Sequence, residues 1–237
     1  MYDGNYTICM YRLEHRASVL DLLQALWGPD QDVNDRYFAW KYEANPFVSE
    51  PLGVVACHQG QVVGFRGYFL SRWQVGDPPQ IFDMLNPGDT VVNPEHRRTG
   101  LSLSMGRFAS AVLADRYRFF LNTSCSRASI PGYLRLGFRP LVAKAYTVNV
   151  SALGLVRSLL TRTGLLGGSR VRGWREPAAP VRVSRTPQVE AMASLVLRDQ
   201  QRGGKVCLLR DSAFFSWRFR NPKVDYLFWY FQDAQQL

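Results

Sequence analysis

Hydrophobic residues recur with two different periods along the chain, and each change of period marks a predicted element. The first group follows the i, i+3, i+4 and i+7 spacing of a helix with one apolar face: Val19, Leu22, Leu23 and Leu26. The sequence WGPD follows, and a glycine next to a proline is a strong helix stop. We therefore predict a first helix that ends near WGPD.

The next stretch changes from a short helix to strands. A helix is predicted through RYFAWKY, with Asn34 or Asp35 as its N-cap and Pro46 at its end. Two β-rich runs follow in PLGVVACHQGQVVGFRGYFL, and a short polar turn containing Gly60 joins them. This pattern predicts an antiparallel hairpin, to which IFDMLNPGDTVV adds at least one further strand.

Helical spacing returns after the sequence RRTG. The apolar positions of this third helix are Leu101, Met105, Phe108, Val112 and Leu113. A strand, RFFLN, comes next, and SIPGYLRLGF then predicts a short helix with Pro131 in its first turn and Gly137 as its stop. LVAKAYTVNV is predicted to be a long strand. The order of elements predicts an α/β (α+β) fold, with helices on the faces of a mixed sheet.

Residues 151–180 interleave leucines and arginines and then become rich in Gly and Pro. We interpret them as a linker with one basic amphipathic helix, which could also lie on an anionic membrane surface or cover a cofactor cleft. Residues 181–237 echo the beginning of the chain, because FFSWRFRNP repeats the order of FAWKYEANP. The prediction is a first domain over residues 1–150 and a partial repeat or accessory subdomain over 181–237. Its final aromatic strand, YLFWYF, must pair or be covered.

Composition and charge narrow the classes of protein. The 237 residues are 46% hydrophobic, and no apolar run approaches the roughly 20 residues of a membrane span, so we expect a globular, cytoplasmic protein. A formal net charge of +10 favours polyanionic partners such as phosphorylated cofactors, acidic glycans, nucleic acid or an anionic membrane. The four cysteines have no C-x-x-C spacing, which indicates neither a zinc site nor a disulfide framework.

The sequence VVNPEHRRTGLS places two arginines and a glycine where a strand turns into a helix. A helix N-terminus presents unpaired N–H groups and the positive end of the dipole, so such a loop can hold phosphate. Gly100 would let the backbone approach the anion, Ser102 is small, and Arg97 and Arg98 can add charge-assisted contacts. An ordinary helix cap is the alternative interpretation of the same pattern.

The same stretch resembles the acyl-CoA loop of the GNAT superfamily of N-acetyltransferases, whose pattern is V-x-P-x-x-[QR]-x-x-G-x-[GA]. Val92, Pro94, Arg97 and Gly100 match, and Ser102 stands where Gly or Ala is usual. About thirty residues later, SCSRASIPGYLRLGF resembles the family segment N-x-x-S/A-x-x-L-Y-x-K-x-G-F.

In this second motif the matching residues are Ser129, Tyr133, Gly137 and Phe138, whereas Ser126 and Gly132 depart from it. The resemblance covers roughly residues 5 to 150. It implies the GNAT fold, with a mixed, mostly antiparallel central sheet flanked by helices. The partial repeat over residues 181–237 would then be a second, incomplete copy, which ends before any counterpart of VVNPEHRRTG and so lacks its own CoA loop.

The resemblance also implies a mechanism and a set of site residues. Acetyl-CoA or another acyl-CoA would be the co-substrate, with no metal, and its acyl group would pass to a primary amine by direct attack. Tyr133 would protonate the departing thiolate, although a core tyrosine under the Gly-Phe turn is the alternative. A main-chain N–H of the strand would polarise the thioester carbonyl. The implied cofactor-binding residues are Val91, Val92, Arg97, Arg98, Thr99, Gly100, Leu101 and Ser102.

Several questions stay open at the level of sequence. The base that takes the amine proton has four candidates, Glu43, Asp83, Asp89 and Glu95. The acceptor is a small amine, with an amino sugar as one candidate, and neither the acyl chain length nor the oligomeric state follows from the sequence.

Other classes of function compete with an acyltransferase. A non-catalytic module that binds acyl-CoA or an acidic partner is the main alternative, motivated by the two serines that replace family residues. A nucleic-acid-binding protein has only the net charge in its favour. A cysteine hydrolase with Cys125 and either His58 or His96 lacks an orienting third group.

Overall fold

The computed structural model describes residues 2–3, 5–141, 181–200 and 206–231. The chain forms two compact units, one from Met1–Phe138 with Thr186–Tyr226 and one from Arg139–Arg185 with Leu227–Leu237. The predicted strand LVAKAYTVNV, from residue 142 on, and the predicted helix of residues 151–180 lie outside the described residues. In the described part of the chain, no helix has both the length and the apolarity to cross a bilayer.

The first unit is built on one mixed sheet. Its strands run in the order of the sequence, and every neighbouring pair is antiparallel except the last, which is parallel: β1 (Tyr2–Asp3), β2 (Tyr6–Met10), β3 (Leu52–His58), β4 (Gln61–Val75), β5 (Gln80–Val92) and β6 (Phe119–Phe120). Helices flank this sheet, which confirms the predicted fold class.

The helices in the described residues are α1 (Arg16–Trp27), α2 (Gln31–Phe38), α3 (Leu101–Leu113), α4 (Ile130–Arg135), α5 (Val189–Gln200) and α6 (Ser212–Arg218). They leave a buried core on each face of the sheet. One core contains Leu101 and Met105 of α3, and the other contains Val19 and Leu23 of α1. Because the sheet is covered on both faces, the central strands β3 and β4 are apolar over most of their length.

The hairpin agrees with the hydrophobic pattern, and so does the third helix except at Val112, which is 47% exposed and does not belong to the buried face of α3. Two further corrections concern α2 and α1. Gln59 and Gly60 both have positive φ, at 49° and 78°, as a two-residue hairpin turn requires. The predicted N-cap of the second helix was wrong: α2 begins earlier, and Asp30 accepts the Val33 N–H at 3.0 Å. Leu26 is 51% exposed and does not belong to the buried face of α1.

Helix α2 continues into a single π-turn, Ala39–Glu43, in which the Ala44 N–H donates to the Ala39 carbonyl at 2.8 Å. The related segment later in the chain has one residue fewer between its Trp and its Asn-Pro, and α6 closes with an ordinary bond from Phe219 N–H to the Phe215 carbonyl at 3.2 Å. The π-turn therefore accommodates the extra residue of the first segment.

The two related segments pack against each other inside the first unit. The rings of Trp40 and Trp217 are stacked, with centroids 5.0 Å apart and planes 7° apart. Each indole N–H donates to the backbone carbonyl of the other tryptophan, both at 2.7 Å. Equivalent residues thus make equivalent contacts around a local two-fold relation, while an internal duplication of the whole chain stays a prediction.

The remaining strands complete both units. In the first unit, β8 (Cys207–Leu208) pairs antiparallel with the distal part of β4. In the second unit, β7 (Val181–Ser184) pairs antiparallel with β9 (Phe228–Phe231), so these residues of the aromatic run YLFWYF are paired. The predicted domain boundaries stay a prediction, although residues 186–226 pack with the first 138 residues.

Candidate functional site

Within the described residues, one edge of β5 is unpaired at its C-terminal end. Strand β6 pairs with β5 only at Met84 and Leu85, and the last contact is the bond from Leu121 N–H to the Leu85 carbonyl. From Asn86 to Val92, no strand within the described residues covers this edge. A row of unpaired backbone groups can accept an extended ligand as if it were another strand.

The opposite edge of β5 pairs with β4 and is interrupted by a β-bulge. The register shifts between Arg66, which lies opposite Thr90, and Tyr68, which lies opposite Pro87. The bulged residues include Asp89, which lies within the run from Asn86 to Val92 whose other edge is unpaired. A bulge of this kind bends a strand and redirects its backbone groups.

Tyr42, which lies in the π-turn, holds the bulge of β5 in place. Its hydroxyl donates to Asp89 Oδ2 at 2.7 Å and accepts from the Asp89 N–H at 3.4 Å. Tyr42 is 1% exposed, and burial together with the Asp89 charge raises its pKa well above the usual range. Gly67 and Gly88 flank the phenol, and a Cβ on Gly67 would overlap the Tyr42 hydroxyl. The glycines are therefore needed for the phenol to reach Asp89.

The loop after β5 presents an uncapped helix N-terminus. Gly100 has φ 86° and is the N-cap residue of α3, where no side chain accepts from the first helical N–H groups. Arg98 also has a positive φ of 64°. The Arg97 Nε donates to the Val92 carbonyl at 3.0 Å, and the Thr99 hydroxyl donates to the His96 carbonyl at 2.7 Å. The loop is thus ordered by its own side chains and by the Arg97 N–H, which donates to the Pro94 carbonyl, and within the described residues the N–H groups from Gly100 to Ser102 are available for an anion.

A cleft lies between the end of β5, the start of α3 and α4. It includes three of the residues that the sequence had singled out, Ser102, Ser129 and Tyr133. The lining residues are Arg66, Thr90, Ser102, Leu103, Ala128, Ser129, Gly132, Tyr133 and Leu136. The cleft therefore brings the two sequence motifs together.

Tyr133 is half-buried on α4, and its contacts fit both of its alternative roles, that of a proton donor and that of a core tyrosine. Its ring packs edge-on against Phe138 with centroids 5.0 Å apart, as a tyrosine under the Gly-Phe turn would. The guanidinium carbon of Arg66 lies 5.0 Å from the centroid of the same Tyr133 ring. Burial raises the pKa of Tyr133, and the Arg66 charge opposes that rise. The phenol is thus held protonated at neutral pH, which a proton donor requires.

Three of the four candidate bases are already paired. Glu43 accepts from Arg16 at 2.7 Å, and Asp83 accepts from Arg72 at 2.9 Å. Asp89 accepts from Tyr42 and also from Lys41 at 2.6 Å and Trp27 at 3.2 Å. These carboxylates stabilise the structure around the site, and their oxygens are occupied by other donors. The structure thus singles out no base.

The cysteine-hydrolase arrangement is not assembled. The Cys125 sulfur lies 3.2 Å from the Ser129 hydroxyl. The rings of His58 and His96 lie 5.0 Å apart, and His96 Nδ1 lies 3.1 Å from the Tyr6 hydroxyl. No hydrogen bond joins Cys125 to either histidine in the part of the chain that the structure describes.

Two features of the site escaped sequence analysis. Arg66 lies in the apolar strand β4 with 4% of its surface exposed, and in the sequence it is one basic residue in a strand pattern. Tyr42 belongs to a cluster of aromatic residues in the sequence, and such a cluster usually indicates packing. Nothing in it indicates the contact with Asp89, which lies 47 residues further along the chain. The only local signal was the pair of glycines, in FRGYF and NPGDT, which mark close backbone approach.

Comparison of the sequence with protein-family models and with curated proteins gives no match. Solved structures with a similar fold include an acetyltransferase from Trypanosoma brucei, at 19% identity and a TM-score of 0.46, which covers 60% of this chain and 99% of that chain. Glucosamine-6-phosphate N-acetyltransferase from Arabidopsis thaliana has 13% identity and a TM-score of 0.46, with 62% and 100% covered. A GNAT family acetyltransferase from Brucella melitensis in complex with acetyl-CoA has 18% identity and a TM-score of 0.42, with 57% and 83% covered.

The strand order, the unpaired end of β5 and the helix that follows its loop agree with the architecture that the sequence motifs implied. The described residues thus form the mixed, mostly antiparallel sheet flanked by helices that the resemblance to the GNAT superfamily implied. Within this unit, Val91 and Val92 lie on the unpaired run, and the residues from Arg97 to Ser102 form the loop and the start of α3. Identities this low concern the fold alone, so the activity has to be argued from the residues of this chain.

Proposed function

We propose that the protein is an acyl-CoA-dependent N-acyltransferase that transfers an acyl group, most simply acetyl, to a primary amine. The observation that carries this proposal is the cleft, in which the unpaired end of β5, the uncapped start of α3 and the Tyr133 phenol meet. An acyl-CoA has three matching parts: an extended amide-containing arm, a pyrophosphate and a thioester.

Each part of the donor has a counterpart in the site. The pantetheine arm would pair with the backbone of Val91 and Val92, as an added strand does. The pyrophosphate would accept from the N–H groups of Gly100 to Ser102, with Arg97 and Arg98 adding positive charge. A main-chain N–H near Thr90 would polarise the thioester carbonyl as its oxygen gains charge.

The reaction needs two proton transfers. The neutral amine attacks the thioester carbon and forms the new C–N bond, and collapse of the tetrahedral intermediate breaks the C–S bond. Tyr133 would donate its proton to the departing thiolate. Because three of the four candidate carboxylates are paired, we propose that water carries the amine proton away from the site.

Calorimetric titration with acetyl-CoA, and with desulfo-CoA as a non-reacting ligand, tests the cofactor site. Gly100→Glu places a carboxylate where the pyrophosphate is expected, and Gly60→Glu in the hairpin turn is the matched control, since both glycines have positive φ and open space around them. We expect CoA binding to be lost only in Gly100→Glu. Equal affinity in the two variants would refute the phosphate loop.

Tyr133→Phe separates the acid from the core tyrosine. With an amine substrate found by screening, amino sugars first, we expect turnover to fall by about 10²-fold or more while CoA affinity is retained. Unchanged turnover would leave Tyr133 with a packing role against Phe138 alone.

A further inference from the structure

Arg66 is a buried cation whose hydrogen-bonding capacity is largely unused. It is 4% exposed, and its Nε has no hydrogen-bond partner within the described residues. Its Nη1 donates to the Ser102 carbonyl at 3.3 Å. Arg66 also acts on the Tyr68 hydroxyl, because its charge and a side-chain hydrogen bond oppose the rise of the Tyr68 pKa that burial causes. A guanidinium has five N–H donors in a planar fork, so the long bond to a carbonyl and the contact with Tyr68 leave others free, including that of Nε.

No carboxylate balances this charge in the described residues. The ion pairs there involve other cations, namely His15, Arg16, Lys41, Arg72 and Arg116. The groups next to the guanidinium are aromatic: the Tyr133 and Tyr68 rings lie 5.0 and 5.8 Å from its central carbon. Burying an ion without a counter-ion is costly, and buried arginines are therefore usually paired.

Thr90 adds a second unused polar group in the same place. It lies directly opposite Arg66 in the pairing of β4 with β5, and its Oγ1 is buried without a partner in the described part of the chain. Arg66 and Thr90 both line the cleft, beside Tyr133. Two adjacent buried polar groups that the fold leaves unsatisfied indicate a ligand that satisfies them.

We propose that this end of the cleft binds a carboxylate of a substrate, held by the Arg66 guanidinium and the Thr90 hydroxyl. The planar fork matches the two oxygens of a carboxylate, and the hydroxyl hydrogen can turn about the Cβ–Oγ1 bond to donate to one of them. The inference rests on the proposed acyltransferase function. The carboxylate would be carried either by the acyl group, as in the monothioester of a dicarboxylic acid, or by the amine, as in an amino acid.

Titration of the full chain with succinyl-CoA and acetyl-CoA tests the first source. We expect succinyl-CoA to bind at least about tenfold more tightly, the ratio typical of one charge-assisted contact. Titration with glycine and glycinamide, in the presence of saturating desulfo-CoA, tests the second source, because only glycine carries the carboxylate.

Arg66→Met removes the charge and keeps much of the side-chain volume, and it breaks no ion pair in the described residues. We expect it to abolish whichever preference the wild-type protein shows. Arg72→Met, on the same strand but outside the cleft, is the control that keeps the preference. Thr90→Val, which replaces the hydroxyl by a methyl group, provides a second variant with little change in shape, and we expect it to reduce the preference.

The possible results are distinct. A preference for succinyl-CoA or for glycine that Arg66→Met abolishes supports the proposal and identifies the source of the carboxylate. Equal binding within both pairs of ligands overturns it, while binding of acetyl-CoA as such leaves the acyltransferase proposal intact. If neither thioester binds to the folded wild-type protein, both proposals are refuted.

Discussion

Tyr42→Phe removes a single oxygen from the interior of the protein and tests whether the β5 bulge depends on it. The Tyr42 hydroxyl donates to a charged acceptor, Asp89, at 2.7 Å. The ring itself would remain packed against Phe38 and Phe65, whose centroids lie 5.1 and 6.0 Å away. The substitution thus deletes a hydrogen bond without opening a large cavity.

The magnitude follows from the partners that Asp89 keeps. A hydrogen bond to a charged group contributes about 1.5–3 kcal/mol, and the bonds from Lys41 and Trp27 continue to stabilise the carboxylate. We therefore expect Tyr42→Phe to lower the free energy of unfolding by about 2 kcal/mol, or the melting temperature by roughly 4–8 °C for a chain of this size. Displacement of the bulge should also weaken acetyl-CoA binding.

Thermal and urea unfolding of Tyr42→Phe beside Tyr37→Phe measures this effect. Tyr37 is a half-buried neighbour whose ring stacks on Trp40, with centroids 5.4 Å apart, so its variant controls for loss of a phenol in the same cluster. We expect a change within about 0.5 kcal/mol for the control. If the two variants unfold at the same temperature, the Tyr42–Asp89 bond does not hold the bulge.

Three further substitutions test the packing around the site. The Tyr11 hydroxyl is buried without a partner in the described residues, and burial raises its pKa to about 12, so the folded protein holds this proton more tightly than the unfolded chain. The stabilisation that comes from this tighter proton binding is present below pH 10 and is lost as the pH rises through about 12. Melting scans should therefore show a shallower loss of stability at alkaline pH for Tyr11→Phe. At pH 7 the variant should be as stable as the wild type or more stable, because it no longer buries an unpaired hydroxyl. Trp217→Phe removes one of the two reciprocal indole bonds and should cost about 1 kcal/mol in urea unfolding; strict additivity with Trp40→Phe would contradict coupling of the pair. Gly67→Ala forces a methyl group against Tyr42 and should lower stability by about 1–3 kcal/mol, whereas a wild-type melting temperature would show that the phenol can move aside.

The sequence predicted the elements whose signals are local. The β3–β4 hairpin and α3 each combine an apolar pattern with a turn residue, Gly60 and Gly100, and all of these form where expected. Helix α4 was predicted from Pro131 in its first turn and Gly137 as its stop, and it too forms there. The position of the α2 N-cap was wrong because several acidic and amide residues are close together there. Asp30 caps the helix because α1 stops at Gly28, and periodicity does not locate that stop to the residue.

The interior of the site could not be predicted in the same way. The contacts of Arg66 with Ser102 and of Tyr42 with Asp89 join residues 36 and 47 positions apart, and they depend on how two strands and a helix are brought together. An arginine in an apolar strand is usually a residue of the exposed face. Only the packed structure shows that Arg66 faces inward, beneath α3 and α4.

The π-turn at Ala39–Glu43 is the place where the segment FAWKYEANP has one residue more between its Trp and its Asn-Pro than the segment FFSWRFRNP. The wider turn absorbs one residue between Trp40, which lies within it, and Asn45, which follows it. The turn also carries Lys41 and Tyr42, whose side chains reach Asp89, while Trp40 stays stacked on Trp217. One additional residue thus lets the first segment brace the β5 bulge, whereas the shorter segment contributes its tryptophan to the pair.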